Sequence, residues 1–248
     1  MAAGIAVPGV PAYNLRSLPI ASTVDPTFAN PIASTGTPSP TSGPAIPAAH
    51  GIHSENWLRE RFASPRLYAP ETVGDGHLFK GREPLKSAAV LVPVVNRNDQ
   101  LSVLFTIRTA HLSDHAGQIS FPGGRAEPDD PSIHHTALRE AEEEIGIAAD
   151  QVEILGSLGQ YTTVTGYQVT PVVGLVRTPF ELRPDEFEVA EIFEVPLSEL
   201  LDPRNHLRNL VVQADRVRHY YVVPYRHYYI WGATAGMLMN FHRFLSAP

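Results

Sequence analysis

The chain has no cysteine in its 248 residues. Disulfide frameworks, zinc–thiolate sites and cysteine nucleophiles are therefore excluded, and the redox state of the compartment leaves no trace in the composition. Lysine is almost missing as well, with only Lys80 and Lys86, so arginine carries nearly all the positive charge. With 26 acidic against 19 basic side chains the formal net charge is -7. No global basic field draws in nucleic acid or an anionic membrane, so neither is expected as a partner. An anionic substrate would need local help, from a bound cation or a few placed arginines. No run approaches the roughly 18 apolar residues of a membrane span. The N-terminus shows neither a secretory nor a mitochondrial pattern, so a cytoplasmic location is expected.

What is present suits a soluble globular protein, at 43% hydrophobic and 18% charged residues. Residues 1–50 stand apart, rich in Pro, Ala, Ser, Thr and Gly, with Arg16 and Asp25 as their only charges. Prolines break helix and sheet, and few large apolar groups offset the ordering entropy. A flexible, disordered tail is expected over 1–50 and a folded domain over 51–248. Ser54 reads as the N-cap of a short helix carrying Trp57, Leu58, Arg61 and Phe62 at helical spacing. Ala88–Val95 and Leu101–Arg108 read as strands joined by a hairpin turn at 96–100, with Pro93 marking an edge or a bulge. Further strands are expected at Val152–Leu158, Val169–Val176, Leu207–Val212 and Val217–Val223, and helices at 131–145, 197–202 and 233–245. Strands and helices mixed without regular alternation point to an α/β protein of the α+β kind, a mixed sandwich rather than a doubly wound sheet.

The segment that carries chemistry is Phe121-Pro-Gly-Gly124, then Arg125 to Asp130, then a helix ending at Gly146. Asp130 is placed to cap that helix, Pro131 suits its first position and Gly146 its C-terminal cap. Glu140, Glu143 and Glu144 share one helical face, while Glu142 turns toward the other side. Ala137, Leu138, Ala141 and Ile145 supply the packing face. Three carboxylates on one face repel each other unless a cation neutralises them. Oxygen ligands without His or Cys favour a hard ion, Mg2+ or Mn2+, over zinc. A solvated acidic face would explain an isolated run of glutamates, but here a glycine-rich turn precedes the run and a capped end follows it.

Arg139-Glu-Ala-Glu-Glu-Glu-Ile-Gly-Ile147 with its preceding loop resembles the Nudix box, the loop–helix–loop of hydrolases that act on nucleoside diphosphates linked to another moiety. The second half of the family pattern is filled by Arg139, Glu140, Ala141, Glu143, Glu144, Gly146 and Ile147. The first half departs from it: the spacing from Gly124 to Arg139 is one residue long, and Pro131 stands at the family's first Glu. Glu127, Asp129 and Asp130 are the substitutes on offer to meet Arg139. Upstream, Leu104 to Gly124 is similar to the extra motif of the coenzyme A pyrophosphatase branch. Arg108, Gly117 and Phe121–Gly124 are in register, Thr109 stands for Ser or Ala, and Ser113 for a second Arg. Val164–Gly174 and Tyr229–Gly236 also resemble that branch.

The resemblance implies a Nudix-type α/β/α sandwich with a mixed sheet. It also implies Mg2+-dependent (or Mn2+-dependent) hydrolysis of coenzyme A or its derivatives to 3′,5′-ADP and 4′-phosphopantetheine. Metal ligands would be Glu140 and Glu144, with Glu143 a further ligand, direct or through water. Glu143 and Glu188 are the candidates for general base. Arg108 is positioned for a forked contact to phosphate, though a surface ion pair explains it equally well. Arg125, Gly123 and Gly124 complete the substrate side, and Arg139 reads as structural. His111 and His115 have the spacing of zinc ligands and nothing more. Tyr161, Tyr167 and the tyrosines of 220–229 are candidates to stack on a base, or else simply core aromatics. The alternatives are another small-molecule substrate, ADP-ribose or NADH, which Ser113 keeps open, and a ligand-binding regulator without turnover. Oligomeric state is open, a homodimer included.

Overall fold

A computed structural model describes residues 39–40, 53–64, 67–71, 84–112, 115–213 and 216–248, all within one unit, Ser34–Pro248. In chain order the elements are β1 (Ser39–Pro40), α1 (Glu55–Ala63), β2 (Lys86–Arg97), β3 (Gln100–Arg108), β4 (Ile119–Ser120), β5 (Gly123–Arg125), α2 (Ile133–Ile145), β6 (Val152–Ser157), β7 (Tyr161–Thr162), β8 (Tyr167–Val176), β9 (Val189–Pro196), α3 (Leu197–Leu201), β10 (Leu207–Gln213), β11 (Arg216–Tyr225), β12 (Tyr228–Trp231) and α4 (Gly232–Ser246). The expected tail falls outside the described residues except for Ser39–Pro40, which pair with Arg208 and Leu207 of β10.

The main sheet is mixed. β2 runs parallel to β8 and antiparallel to β3 and β5; β4 and β9 join β3, and β6 and β7 join β8. The β2–β3 hairpin turns through Asn98 and Asp99, at φ 52° and 64°. Two successive positive φ values match the twist of the strands they join, and Asn and Asp tolerate that region better than other residues with a Cβ. β2 is buried on both faces, which explains why Ala88–Val95 reads as an unbroken apolar run. Pro93 does not mark a sheet edge. On one side of β2 the partner β3 holds Val94–Arg97 and β5 holds Ala88–Val90, so Pro93 falls in the gap between them. A strand tolerates a residue without an N–H at such a gap.

The two faces of the sheet bury different partners. Ala89, Leu91, Val95, Leu104 and Val172 pack against Ala137, Ala141 and Ile145 of α2. The opposite face, through Val92, Val94, Phe105 and Val173, meets Leu58 of α1, Leu197 and Leu200 of α3, and Leu238 and Phe241 of α4. The result is an α/β/α sandwich with a mixed sheet, joined by a smaller antiparallel sheet β1-β10-β11-β12. α1 begins where Ser54 accepts a hydrogen bond from Trp57 N, as its sequence implies. α2 begins later than expected. Its N-cap is Ser132, whose Oγ accepts from His135 N at 3.1 Å, while Asp130 and Pro131 precede the helix. Asp130 is unavailable as a cap because its carboxylate is engaged by Arg139. β9 and β12 were not anticipated; the charges of Asp185–Glu191 hide the apolar alternation of β9.

Against α4, His206 and His242 meet edge to face, with ring centroids 4.8 Å apart, and both are buried. Burial lowers both pKa values, that of His242 to about 4 from the ordinary 6.5, with the nearby His206 and Arg243 adding to the effect. As pH falls below the unfolded value, the unfolded chain takes up protons that the native state refuses, so stability falls. His242→Asn should therefore lose less stability than the parent between about pH 7 and about pH 5, since titrations elsewhere cancel in the comparison. Melting temperature measured against pH for the two proteins checks this; parallel profiles would contradict it.

Candidate active site

The glycine turn lets the sheet come up against α2. Gly123 N donates to Glu144 Oε2 at 3.3 Å. A Cβ on Gly123 would lie 2.4 Å from the carbonyl oxygen of Ala89, and one on Gly124 would lie 2.5 Å from the carboxyl carbon of Glu140. Any side chain there would push the strand off its neighbour or the carboxylate out of place. The sequence Phe121-Pro-Gly-Gly124 thus sets the distance between β5 and the acidic face of the helix.

On that face Arg139 acts as a strut. Its Nε and Nη2 donate to the two oxygens of Asp130 at 3.1 Å, Nη2 also donates to the Arg125 carbonyl, and Nη1 meets Glu140 and Glu143 at 2.9 Å. Asp130 is therefore the residue that replaces the missing first glutamate. Thr136 Oγ1 and Glu127 N also donate to it, and His135 Nδ1 lies 3.0 Å away. Chiefly through the hydrogen bonds from Arg139, its pKa is held well below the usual carboxylate range. Arg139 is structural, as its position in the box suggests.

Glu144 occupies the inner end of the site. Its side chain is 6% exposed, and burial pushes its pKa up to about 8, although Arg108 and the Gly123 N–H pull it back. Glu140 and Glu188 add to the rise by like-charge repulsion. Glu140 is raised as well, by burial first, against the pull of Arg139. These carboxylates are short of positive charge, and their donor set is all oxygen. Both features fit a hard divalent cation, which Glu140 and Glu144 could hold. The oxygens are not gathered around one point: among the described residues no three acidic or histidine side chains form a metal cluster. Arg139 draws Glu140 and Glu143 to one side, and Arg108 draws Glu144 to the other.

Arg108 stands between two carboxylates, 3.5 Å from Glu144 and 3.6 Å from Glu188. The loop that brings Glu188 there is tied to the helix. Arg183 N donates to Ile145 O, Asp185 N to Glu144 O, and Thr109 N to Glu188 O, all at 2.9 Å. Thr109 is a residue whose importance the sequence understates. Its Oγ1 also donates to Phe187 O at 2.7 Å, a bond that Ser could make and Ala could not. Glu188, offered by the sequence only as an exposed charge or a base, thus joins the site. Glu143 is placed differently: it is 59% exposed and turned to Arg139 on the outer side. Arg125 is exposed beside the turn, with only its carbonyl engaged by Arg139. Ser113 lies outside the described residues. Tyr161 is buried against Gly236, and Tyr228 is stacked between Phe193 and His227, so the sequence's stacking candidates there serve packing.

The NUDIX domain family matches residues 85–215. A protein of Shigella flexneri described as an uncharacterized Nudix hydrolase, NudL, is 44% identical over 63% of this chain and 82% of its own. A protein of the same description from Yersinia pestis (strain Pestoides F) is 41% identical over 71% of this chain and 87% of its own. Among solved structures, a Nudix hydrolase from M. smegmatis, RenU, is 23% identical, with a TM-score of 0.39 over 46% of this chain and 72% of its own.

Gly124→Ala tests the close approach of the turn. The atoms it would meet are the end of a flexible side chain, so the protein should still fold, with Glu140 displaced. The rise in melting temperature on adding Mg2+ should shrink, with the equivalent of about a tenfold or greater loss in Mg2+ affinity. An undiminished Mg2+ effect would show that Glu140 has no part in holding the cation.

Proposed function

The chain belongs to the Nudix hydrolase family, and we propose that it hydrolyses the pyrophosphate bond of coenzyme A or its derivatives. The products would be 3′,5′-ADP and 4′-phosphopantetheine, or its acyl form. The observation that carries this reading is the junction at Arg108. The branch motif contributes Arg108, Gly123 and Gly124, and these meet the box residues Glu140 and Glu144 within one small volume. A small molecule in the cytoplasm is the expected substrate.

In this reading Glu140 and Glu144, with Glu143 directly or through water, would hold Mg2+ or Mn2+, which would supply positive charge against that of the pyrophosphate. The protein's own groups do the rest. Arg108, already charged and three-quarters buried, turns its forked donors from the carboxylates to a phosphate oxygen. Gly123 and Gly124 leave the backbone open to close approach, and Arg125 stands beside them. Glu188 is the better placed of the two candidate bases, because it shares Arg108 with Glu144. It would accept the proton of the attacking water while Glu143 stays with Arg139.

A second reading keeps the chemistry and changes the substrate to ADP-ribose or NADH. The observation behind it is Ser113, which removes a cation where the branch has Arg. Incubation with coenzyme A, ADP-ribose and NADH under Mg2+, followed by product identification, decides between them. Coenzyme A should be cleaved fastest, to 3′,5′-ADP; equal or faster turnover of the others would overturn the first reading. Glu144→Gln separates an enzyme from a binding protein. The glutamine removes a charge that burial already disfavours, so the metal-free protein should melt within a few degrees of the parent. Turnover should fall by more than the roughly 10–100-fold typical of an outer-shell change. Activity retained at saturating Mg2+ would refute the assignment of Glu144.

A further inference from the structure

One apolar side chain beside the site stays largely exposed on a backbone that is held in place. Phe187 is 63% exposed, on a loop whose neighbours Asp185, Glu186 and Glu188 are all acidic. Single exposed hydrophobic residues are common and need no explanation by themselves. Phe187 differs in two respects. Its ring is paired with that of His111, itself exposed, with centroids 4.7 Å apart and planes tilted by 58°. Its backbone is also fixed on both sides: Phe187 N donates to Asp185 Oδ1 at 2.9 Å, and Phe187 O accepts from Thr109 Oγ1 at 2.7 Å. A loop that only solvates itself needs neither constraint.

The two rings come from the two segments that build the inner site. Phe187 adjoins Glu188, and His111 lies three residues beyond Arg108, the partner of both Glu144 and Glu188. Along the backbone, the Cα of Phe187 lies about 4 Å from that of Glu188, and the Cα of His111 at most about 11 Å from that of Arg108. Both rings are thus carried on backbone adjoining the groups assigned to the phosphates, with Phe187 O held by Thr109, the residue after Arg108. The acidic neighbours repel phosphate, so an anionic group is the wrong ligand for this spot. A flat, uncharged heterocycle is the right one, since every base has a π-face that an aromatic ring can cover.

We infer that Phe187 and His111 form the platform on which the base of a nucleotide substrate stacks while its phosphates lie at Arg108 and the glutamates. This deepens the reading of the acidic site as a pyrophosphate hydrolase and rests on it for the position of the phosphates. It does not depend on which pantetheine-like or sugar group sits at the other end.

Calorimetric titration of ADP and of inorganic pyrophosphate, both with Mg2+, into the full chain tests the platform. Phe187→Ala and Phe187→Leu should each weaken ADP by about tenfold, and Phe187→Tyr should bind it as the parent does. His111→Ala should weaken ADP to a smaller extent. Pyrophosphate, which has no base, should bind all four variants alike. Three results would each overturn the inference: ADP bound equally by Phe187→Ala and the parent, ADP and pyrophosphate weakened together, or no ADP binding by the parent. A parent protein that shows the expected pattern yet leaves coenzyme A intact refutes the coenzyme reading and leaves the platform standing.

Discussion

Glu140 and Glu188 both repel the buried Glu144, and that repulsion is the condition that the rest of the site answers to. Glu140 and Glu188 both raise the cost of ionising Glu144, and its own burial raises it further. At an effective dielectric near 20, two unit charges about 5 Å apart repel by roughly 3 kcal/mol. A helix cannot carry that load without counter-charges at fixed places. Arg108 reaches Glu144 and Glu188 from the end of β3, and Arg139 reaches Glu140 and Glu143 along the helix. Arg139 in turn is locked by Asp130, so the outer pair is rigid. Arg108 has no comparable lock; its contacts, at 3.5 and 3.6 Å, are longer than ideal hydrogen bonds. In the proposed function the inner guanidinium is the one that would exchange carboxylate for phosphate.

The backbone that holds these charges obeys a packing rule before an electrostatic one. β2 is covered on both faces, and α2 presents Ala137 and Ala141 to it, so helix and sheet sit close. Glycine at 123 lets β5 lie close beside β2, and glycine at 124 leaves room for the Glu140 carboxylate of the helix. Close packing of small residues therefore fixes the distance from the Gly123 N–H to Glu144, and the charges are set within that frame.

The box helix, the hairpin, both flanking helices and the mixed sandwich were legible in the sequence, because each depends on local period or turn chemistry. The acidic face of the box helix was legible for the same reason. What could not be read were relations between distant segments. Asp130 was read both as a cap and as one of three acids that could meet Arg139, and only the three-dimensional reach of Arg139 shows it to be the strut's anchor. Glu188 was a candidate base or an exposed charge with nothing to choose between them, and its place beside Arg108 depends on the loop 183–189 being tied to the end of α2. Thr109 looked like a departure from a pattern, whereas its hydroxyl is what the position uses. Pro93 broke an expectation because a central strand can change partners along its length.

The end of α2 joins chemistry to recognition. Gly146 closes the helix at φ 75°, and its N–H returns to the Glu142 carbonyl. A Cβ there would press on the backbone and Cβ of Arg183, in a backbone region that favours glycine. Directly above, the carbonyls of Glu144 and Ile145 accept the N–H groups of Asp185 and Arg183. The same loop then delivers Glu188 to Arg108 and Phe187 to His111. A buried carboxylate, a candidate base and an exposed ring are therefore placed by one helix terminus. A shift of the cap would move all three together, so the position of the base-side surface relative to the glutamates is set by backbone hydrogen bonds rather than by long side chains.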